Sequence, residues 1–331
     1  MAVIDFEKLF HQFSQLKVAV IGDVMLDTYW WGKVDRISPE APVPVVAVSK
    51  KELRIGGAGN VALNLQSLGA AVSVLSVLGK DDDGEQLTKL FEDNHINTKY
   101  LVYSEERITT NKIRIISRNQ HMMRLDAELT TDISTADEER LLFAFEEFIA
   151  AVSPDVVVLE DYNKGVLTEN VITKIISLCK HHNIITTVDP KRKNFFAYKG
   201  VDIFKPNLKE VKEGLNILSD DITLSLLKDI HLQLQDKLQH KISFITLSEK
   251  GVFYNDAATA ALIPTHIRNI ADVSGAGDTV IAVASLVYAA TKNITLMADV
   301  ANIAGGLVCE EVGTVAIDKE KLLQECIQLL K

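Results

Sequence analysis

The sequence predicts an α/β fold in which a mainly parallel β-sheet carries helices on both faces and a small β lid lies beside it. Short runs of valine and isoleucine alternate along the chain with amphipathic helical patterns, and this succession of βαβ units builds a parallel sheet. One segment, residues 28–49, breaks the succession with two tryptophans and three prolines. The lid is expected there.

The strands are predicted from short runs that are rich in β-branched residues. Their length and composition favour strands over helices, and they lie at residues 18–21, 72–78, 156–159, 184–188 and 242–247. Between them, apolar residues recur at helical spacing. This pattern predicts helices at residues 61–68, 138–151, 169–182 and 223–238.

The lid is predicted from the proline-containing segment 28–49 and from a β-branched stretch at 109–125 that would supply partner strands. Each proline removes a backbone donor from a strand ladder, so this segment is confined to a sheet edge or an irregular excursion. A small sheet with apolar residues on both faces has to cover a ligand or pair with its own copy. We therefore expect a homodimer through the lid, with Trp30, Trp31 and residues 43–48 as its contact surface.

Residues 272–279 read Asp-Val-Ser-Gly-Ala-Gly-Asp-Thr and precede an apolar helical run. Gly275, Ala276 and Gly277 allow backbone N–H groups to approach an anion closely, and the first turn of the helix leaves further N–H groups free for it. Asp278 is then placed beside a bound phosphate chain, where its carboxylate can accept the proton of an attacking hydroxyl group. The octet predicts a phosphoryl-transfer site with Asp278 as the base.

Composition limits the class of protein. The 331 residues, 47% of them hydrophobic, can bury one large α/β core, although this length would also permit two domains. The formal net charge of −10 argues against a nucleic-acid surface. No apolar run approaches 18 residues and the chain begins with a charged amphipathic segment, so we expect no membrane association and a cytoplasmic location. The cysteines Cys179, Cys309 and Cys326 lack metal-ligand spacing and are expected to be reduced.

The octet resembles the nucleotide-site signature of the ribokinase/PfkB family of sugar kinases, and the resemblance runs from about residue 17 to about residue 315. It implies a single ribokinase-like domain over residues 1–331. Residues 56–60, Gly-Gly-Ala-Gly-Asn, are similar to the family's amino-terminal signature. There the resemblance implies that Gly56, Gly57 and Asn60 face the sugar.

Two further elements resemble the nucleotide and metal sites of this family. Asn207 and Glu210 match its Asn-x-x-Glu element, which implies a role in positioning Mg²⁺ largely through phosphate and water. Residues 246–251 match its Thr-x-Gly-x-x-Gly nucleotide loop, with Thr246 and Gly251 in place and Ser248 where the family has glycine. Together with Gly275 and Gly277, these residues imply an ATP site.

Residues 21–46 more narrowly resemble the kinase module of bacterial enzymes that phosphorylate D-glycero-D-manno-heptose 7-phosphate, and residues 119–126, 161–165 and 189–191 extend the match. The resemblance implies ATP-dependent phosphorylation of the anomeric hydroxyl group, on the route to ADP-heptose and lipopolysaccharide. Many such enzymes carry a nucleotidyltransferase domain after the kinase. No His-x-Gly-His motif occurs in this chain, so a stand-alone kinase or a fragment cut at the boundary is expected.

The implied substrate contacts also include individual side chains, most of them within these stretches. Asp23, at the carboxyl end of the first predicted strand, and Asp27 can accept hydrogen bonds from sugar hydroxyl groups at the edge where α/β folds bind ligands. Lys191 or Arg124 would neutralise the 7-phosphate, because a fixed dianion needs charge-assisted donors. Lys112 and Asp161 complete the set of implied substrate residues. The set is Asp23, Asp27, Lys112, Arg124, Asp161 and Lys191.

Two other classes of protein fit parts of the sequence. Residues 57–62 match the dinucleotide fingerprint G-x-G-x-x-A, with Asp81 about twenty residues further on. However, residues 49–54 are charged and cannot form the buried strand that this fingerprint requires. A non-catalytic sugar or nucleotide sensor would share the fold, although Asp278 within its full motif favours an enzyme. Among kinases, the alternative is another sugar or sugar-phosphate kinase.

Overall fold

The computed structural model describes residues 4–118, 120–219 and 221–330, and Asn119 of the predicted lid lies outside them. The strands are β1 (Lys17–Gly22), β2 (Val24–Ile37), β3 (Pro44–Gly57), β4 (Ala71–Leu75), β5 (Val77–Gly79), β6 (Val102–Ser104), β7 (Asn111–Ser117), β8 (Gln120–Ala127), β9 (Val156–Glu160), β10 (Ile185–Asp189), β11 (Ile203–Phe204), β12 (Ile242–Thr246), β13 (Val252–Asn255) and β14 (Ala260–Ile263). The helices are α1 (Phe6–Phe13), α2 (Ala58–Ser67), α3 (Asp82–Asp93), α4 (Thr135–Val152), α5 (Glu169–His181), α6 (Leu208–Leu215), α7 (Leu224–Leu238), α8 (Ala276–Thr291), α9 (Ile294–Val308) and α10 (Lys319–Leu329).

The main sheet has the strand order β14-β13-β12-β11-β10-β9-β1-β4. Neighbouring strands from β12 to β4 run parallel, whereas β13 and β14 are antiparallel. The predicted helices correspond to α2, α4, α5 and α7. The predicted fold class, a mainly parallel sheet with helices on both faces and a small β lid, is confirmed.

The sheet separates two hydrophobic cores because successive side chains of a strand point to opposite faces. In β1, Val18 and Val20 pack into the core that contains α1, α2, α8, α9 and α10. Ala19 and Ile21 pack into the core that contains α4, α5 and α7. All four side chains are fully buried, and each large apolar one contributes roughly 1.5–3 kcal/mol of stability through its burial. Both layers of helices are therefore fixed to the same central strand.

One predicted strand, at residues 72–78, is wrong as a single element. The structure divides it into β4, which pairs with β1, and β5, which pairs with β6 in a separate sheet. The break lies at Ser76, whose hydroxyl donates to the carbonyl oxygen of Gly22 at 2.7 Å. Its own carbonyl accepts from the backbone of Val102. A valine- and leucine-rich run gives no sign of this break, because the partners of Ser76 are remote in sequence.

The lid sheet consists of β2, β3, β7 and β8, in the order β3-β2-β7-β8. Its prolines lie where a strand can accept them: Pro39 and Pro42 are in the connection after β2, and Pro44 is the first residue of β3. In the parts of the chain that the structure describes, no helix has the length and apolar character needed to span a membrane.

Candidate active site

The site lies where the parallel strands end. β1, β9, β10 and β12 terminate at Gly22, Glu160, Asp189 and Thr246, and parallel strands bring their carboxyl ends to one edge of the sheet. The segments that follow them carry several of the predicted site residues, among them Asp23, Asp161 and Lys191. α8 packs against β9 and β10, so its first turn can face this edge.

Helix α8 begins immediately after Gly275, whose φ of 78° lies in the left-handed region that favours glycine. Within the described residues, the backbone N–H groups of Gly277 and Asp278 have no acceptor, as expected for the first turn of a helix. A Cβ atom added to Gly277 would lie 3.6 Å from Asp189 Oδ2 and 3.9 Å from Lys205 Nζ. The predicted anion loop thus faces a group of charged side chains.

Asp278 is held by two donors from distant parts of the chain. Asn60 Nδ2 donates to one carboxylate oxygen and the Tyr162 hydroxyl to the other, each at 2.7 Å. Burial raises the pKa of Asp278 to about 6, although both hydrogen bonds lower it. A carboxylate with this pKa is mostly ionised near neutral pH and binds a proton more readily than an exposed aspartate.

Asn60 is fixed by a hydrogen-bond chain between α2 and α8. Asn64 Nδ2 donates to the backbone oxygen of Asn60 at 2.8 Å, and the Thr279 hydroxyl donates to Asn64 Oδ1 at 3.0 Å. Asn60 and Asn64 are fully buried. The predicted sugar-facing asparagine therefore lies against the predicted base. It belongs to the first turn of α2, whose N-cap residue is Gly57.

Four charged side chains lie beneath the first turn of α8. Lys205 Nζ pairs with Asp189 at 2.8 Å, and Lys191 Nζ pairs with Asp189 at 3.3 Å and with Glu210 at 2.8 Å. Burial alone would raise the pKa of Asp189, but Lys191 and Lys205 outweigh it and hold this pKa low. Burial likewise opposes the charge of Lys191, but Asp189 and Glu210 raise its pKa. Lys191 therefore stays cationic close to the anion loop.

Glu160 lies at the end of β9, opposite Asp189 in register. It is fully buried, and neither carboxylate oxygen has a hydrogen-bond partner among the described residues. Burial raises its pKa well above the ordinary value, and Asp189 and Asp278 raise it further. Burial therefore favours the neutral form of Glu160, and both of its oxygen atoms are available to a donor or a cation that reaches them.

The loop after β9 is held by Asp23. One oxygen of this carboxylate accepts from the backbone N–H groups of Tyr162 and Lys164 at 2.8 and 3.0 Å, and the other accepts from Val166 at 3.0 Å. Burial raises the pKa of Asp23, and these backbone donors lower it. The residue therefore positions the loop that delivers Tyr162, and a direct contact of Asp23 with sugar stays a prediction.

Asp161 points to a different set of partners. Its oxygens accept from the backbone N–H of Asn163 and from the Tyr198 hydroxyl, each at 2.7 Å. Burial and, less strongly, neighbouring Asp23 raise the pKa of Asp161 to about 6. Within the described contacts, Asp161 belongs to the support of the loop and not to the group around Asp278.

The remaining predicted substrate residues lie on the lid sheet. One face of the lid sheet carries Asp27, Tyr29, Lys112, Arg114 and Arg124. Asp27 is opposite Lys112 across β2 and β7, and Tyr29 is opposite Arg114, which in turn is opposite Arg124 on β8. We call this face the inner face. Arg114 pairs with Asp27 at 2.6 Å, whereas Arg124 pairs with Asp126 through two bonds of 2.8 Å. A Cβ atom at Gly56 would lie 2.5 Å from Asp27 Oδ2, so this glycine lets the strand pass the carboxylate.

Tyr162 connects the lid with the charges beneath α8. Lys112 Nζ lies 5.9 Å and Lys191 Nζ 5.4 Å from the centre of its ring. Both distances are within the range of cation–π attraction. Burial lowers the pKa of Lys112, and the nearby Lys164 lowers it further. An anion that reached Lys112 would relieve this repulsion.

The Asn-x-x-Glu element forms the start of α6. Asn207 Oδ1 accepts from the backbone of Glu210 at 2.9 Å, and Glu210 Oε2 accepts from the backbone of Asn207 at 2.8 Å, which is a capping box. The other oxygen of Glu210 holds Lys191. Carboxylate oxygen, such as that of Glu210, is a ligand type that Mg²⁺ accepts, and this ion usually keeps several waters as well. Within the described ranges, no group of three or more His, Cys, Asp or Glu side chains has the arrangement of a metal site.

The predicted nucleotide loop lies beside this helix. Thr246 forms a β-bridge with Asn207. Ser248 has a φ of 54°, so it adopts the left-handed conformation of the glycine that it replaces. Gly251 has a φ of 96°, and a Cβ atom there would overlap the carbonyl oxygen of Ile263. Ser248 thus has a backbone conformation in the left-handed region that favours glycine.

Four residues were missed as individual site residues: Glu160, Tyr162, Asp189 and Lys205. Each lies within three residues of the carboxyl end of a parallel strand. Polar residues at that position of β9, β10 and β11 were the available signal, because ligands bind there in α/β sheets. The identity of their partners depends on contacts that only the folded chain supplies.

This arrangement defines a carbohydrate kinase with a ribokinase-like fold. A buried aspartate lies at the start of an anion-binding helix, under a small β lid. Residues 15–321 match the model of the pfkB family of carbohydrate kinases, and the chain belongs to this family. The predicted enzyme class, an ATP-dependent carbohydrate kinase, is confirmed by this membership.

Curated relatives share sequence over most of the chain. "Bifunctional protein HldE" of Sulfurimonas denitrificans is 40% identical over 302 residues, which are 91% of this chain and 62% of that protein. Its namesake from Citrifermentans bemidjiense is 37% identical over 325 residues, 97% of this chain and 65% of that protein. The chain thus spans just under two thirds of the length of these relatives.

Solved structures support the fold. Phosphofructokinase-2 from Escherichia coli, in complex with potassium, superposes with a TM-score of 0.79 at 17% identity, covering 96% of this chain and 99% of that one. Ribokinase from Arabidopsis thaliana, complexed with ribose and ATP, has a TM-score of 0.69 at 16% identity, covering 93% and 98%. At these identities the likeness shows the fold alone.

Proposed function

We propose that the protein uses ATP to phosphorylate the anomeric C1 hydroxyl group of D-glycero-D-manno-heptose 7-phosphate, giving the 1,7-bisphosphate for ADP-heptose and lipopolysaccharide synthesis in the cytoplasm. The similarity to the bifunctional HldE proteins supports this choice within the family. The alternative is another sugar or sugar-phosphate kinase of the pfkB family.

One observation favours a phosphorylated sugar over a neutral one. The ring of Tyr162, whose hydroxyl donates to Asp278, has Lys112 and Lys191 within 6 Å of its centre. Asp278 therefore has cations on the side of the lid and on the side of the α8 anion loop. A substrate with its own phosphate, facing a nucleotide phosphate chain, requires positive charge on both sides.

The predicted phosphate ligands are then divided between a nucleotide site and a site for the 7-phosphate. Lys191 is held by Asp189 and Glu210 at the anion loop, so we assign it to the nucleotide phosphates. Lys112, together with Arg114 and Arg124 on the inner face of the lid, is assigned to the 7-phosphate. Arg124 is the more exposed of these, with 57% of its side chain accessible, and Lys112 is the one adjacent to Tyr162.

In the proposed mechanism, Asp278 accepts the proton of the C1 hydroxyl group as its oxygen attacks the γ-phosphorus atom, and ADP leaves with the electrons of the broken P–O bond. Asn60 and Tyr162 orient the carboxylate. The free N–H groups of Gly277 and Asp278 bind phosphate oxygen. Mg²⁺, held near Asn207 and Glu210 largely through phosphate and water, would neutralise phosphate charge.

The experiment that tests this proposal is a phosphoryl-transfer assay with heptose 7-phosphates, fructose 6-phosphate, fructose, ribose and adenosine as acceptors. Phosphorus NMR of the product identifies the phosphorylated position. The heptose 7-phosphate should give the highest kcat/KM, with the new phosphate on C1. A higher kcat/KM for fructose 6-phosphate, or phosphate on another carbon, would replace the proposal with the alternative.

The lid provides the surface for the proposed homodimer. On its outer face, Trp30 is opposite Ile115, which is opposite Met123, and Met123 is 57% exposed. Trp31 lies on the inner face, where its ring stacks on Tyr29 at 6.4 Å, so only Trp30 of the two tryptophans is available to a partner on the outer face. We propose that two outer faces pair.

A further inference from the structure

A cavity of about 790 Å³ lies between α5 and the segment 192–199, and it includes none of the residues placed around Asp278. Part of its wall is apolar and contains two aromatic rings, those of Phe195 and Phe196. The charged residues that line it are Glu169, Lys180, Arg192, Lys193, Lys199 and Glu213. Cations thus outnumber carboxylates here, although the chain as a whole has a formal net charge of −10.

Most of these cations are unpaired. Lys193 pairs with Asp132 at 2.6 Å, whereas Lys180, Arg192 and Lys199 have no ion-pair partner in the ranges that the structure describes. Unpaired cations around an apolar wall suit a ligand that has both an anionic group and an apolar ring. The local charge favours such a ligand over a cationic or neutral one.

The cavity wall is continuous with the candidate active site. Arg192 directly follows Lys191, which pairs with Glu210 at 2.8 Å. On the other side, Gly214 lies in α6, the helix that begins with the Asn207 and Glu210 capping box. The two sides touch, because a Cβ atom on Gly214 would come within 2.8 Å of the Phe195 ring. Both partners of the Lys191–Glu210 ion pair therefore belong to segments that line the cavity.

A second connection leads to the loop that carries Tyr162. Asn194 Nδ2 donates to the carbonyl oxygen of Leu167 at 2.7 Å. We propose that this cavity is a regulatory site for a small molecule that joins a phosphate, sulfonate or carboxylate group to a flat apolar ring, and that the occupied site alters nucleotide binding through the Lys191–Glu210 pair. The cations bind the acidic group, and the half-buried Phe196 contacts the ring.

The first test is binding of 8-anilinonaphthalene-1-sulfonate, a sulfonate on a fused apolar ring, measured by fluorescence on the full chain with saturating Mg-ATP in the candidate active site. The double variant Arg192→Gln/Lys199→Gln should weaken binding about tenfold, because charge-assisted bonds are lost. The matched control Lys89→Gln/Lys228→Gln removes two exposed charges from α3 and α7 and should bind as the wild type does. Equal affinities in both variants would overturn the site.

A second variant fills the cavity without changing charge. Ser177 lines it from the exposed side of α5, so Ser177→Trp should abolish the same fluorescence signal while the melting temperature stays near that of the wild type. Coupling is then measured as linkage: the probe should change the affinity for ATP by the same factor as ATP changes the affinity for the probe. Retained binding in Ser177→Trp would overturn the site, and independent affinities would overturn its regulatory role.

Discussion

The hydroxyl group of Tyr162 donates a 2.7 Å hydrogen bond to Asp278, across 116 residues of sequence. Tyr162 belongs to a loop that Asp23 holds through three backbone hydrogen bonds. Its ring lies near Lys112 of the lid and near Lys191 beneath α8. The loop after β9 therefore connects the base to both groups of cations through the side chain of Tyr162.

Replacement of the base should separate chemistry from binding. Asp278→Asn is expected to lower kcat by roughly 10²-fold or more, because the proton acceptor is lost while the shape of the site is kept. In the wild type, kcat/KM should fall as the pH drops through about 6, where Asp278 becomes protonated. Initial rates of both proteins across this pH range check the prediction, and a loss of less than about fivefold would remove Asp278 from the role of base.

The same variant has a consequence for stability. The folded-state pKa of Asp278 is raised to about 6, so the folded state binds a proton that the unfolded state releases near pH 4. The wild type should therefore lose stability relative to Asp278→Asn as the pH rises from about 4 to about 6, and the difference should then level off. Denaturant titrations measure it.

Tyr162→Phe tests the hydrogen bond itself. This donor lowers the pKa of Asp278, so its removal should raise that pKa and move the acid limb of the kcat/KM profile to higher pH. The loss of activity should be larger at pH 6 than at pH 8. Tyr198→Phe is the matched control, because Tyr198 makes the same 2.7 Å bond to Asp161. A shifted profile in the control and none in Tyr162→Phe would contradict the assignment.

The two glycines of the anion loop should respond differently. A Cβ atom at Gly277 would meet only ordinary contacts, 3.6 Å from Asp189 Oδ2, whereas one at Gly275 would come within 2.8 Å of Asn60 Nδ2 at a φ of 78°. Gly277→Val should stay folded but lose about 10²-fold or more in turnover, because the side chain occupies the phosphate position. Gly275→Ala should instead lower the melting temperature. Full turnover in Gly277→Val would show that the loop does not hold phosphate.

Local patterns were sufficient for much of this molecule. Residues 272–279 carry the base, the glycines and the helix start within one octet, so their arrangement follows from backbone geometry alone. The helices α2, α4, α5 and α7 and the parallel strands β1, β9, β10 and β12 were predicted for the same reason, since hydrophobic period depends on nearby residues. The lid was predicted because prolines exclude residues 28–49 from a central strand.

Partners that are remote in sequence were not predictable. Arg114 and Asp27 are 87 residues apart, and nothing local to either one indicates the other. Asp23 was expected to bind sugar because it follows the first strand, but its oxygens meet the loop after β9, a neighbour fixed only by strand order. Similarly, Asn207 and Glu210 form a capping box while Glu210 also holds Lys191. The metal role inferred for them stays a prediction.

That metal role is tested with Glu210→Gln. The amide can still accept from the backbone of Asn207, so α6 should keep its cap, but it no longer carries the charge that Lys191 and a nearby Mg²⁺ experience. The Mg²⁺ concentration for half-maximal rate should rise several-fold at saturating ATP. Glu213→Gln, one turn further along α6 and 3.9 Å from Lys209, is the matched control. An unchanged Mg²⁺ titration in Glu210→Gln would remove this residue from the metal site.

The lid should determine both assembly and sugar affinity. Two copies that pair their outer faces would bury Trp30, Ile115 and the 57% exposed Met123. A small sheet with an uncovered apolar face favours such pairing with its own copy. Val45→Glu places a charge on β3 at the distal part of the lid, so it should shift sedimentation toward the monomer. Sugar affinity should weaken with it, because the inner face that carries Lys112 belongs to the same sheet. ATP affinity should stay nearly unchanged, since the anion loop lies on α8.

Leu218→Glu is the control, an apolar side chain that is 93% exposed and outside the lid, and it should alter neither property. A wild-type protein that sediments as a monomer at micromolar concentration would refute the dimer, whereas a monomeric Val45→Glu with full sugar affinity would separate assembly from substrate binding.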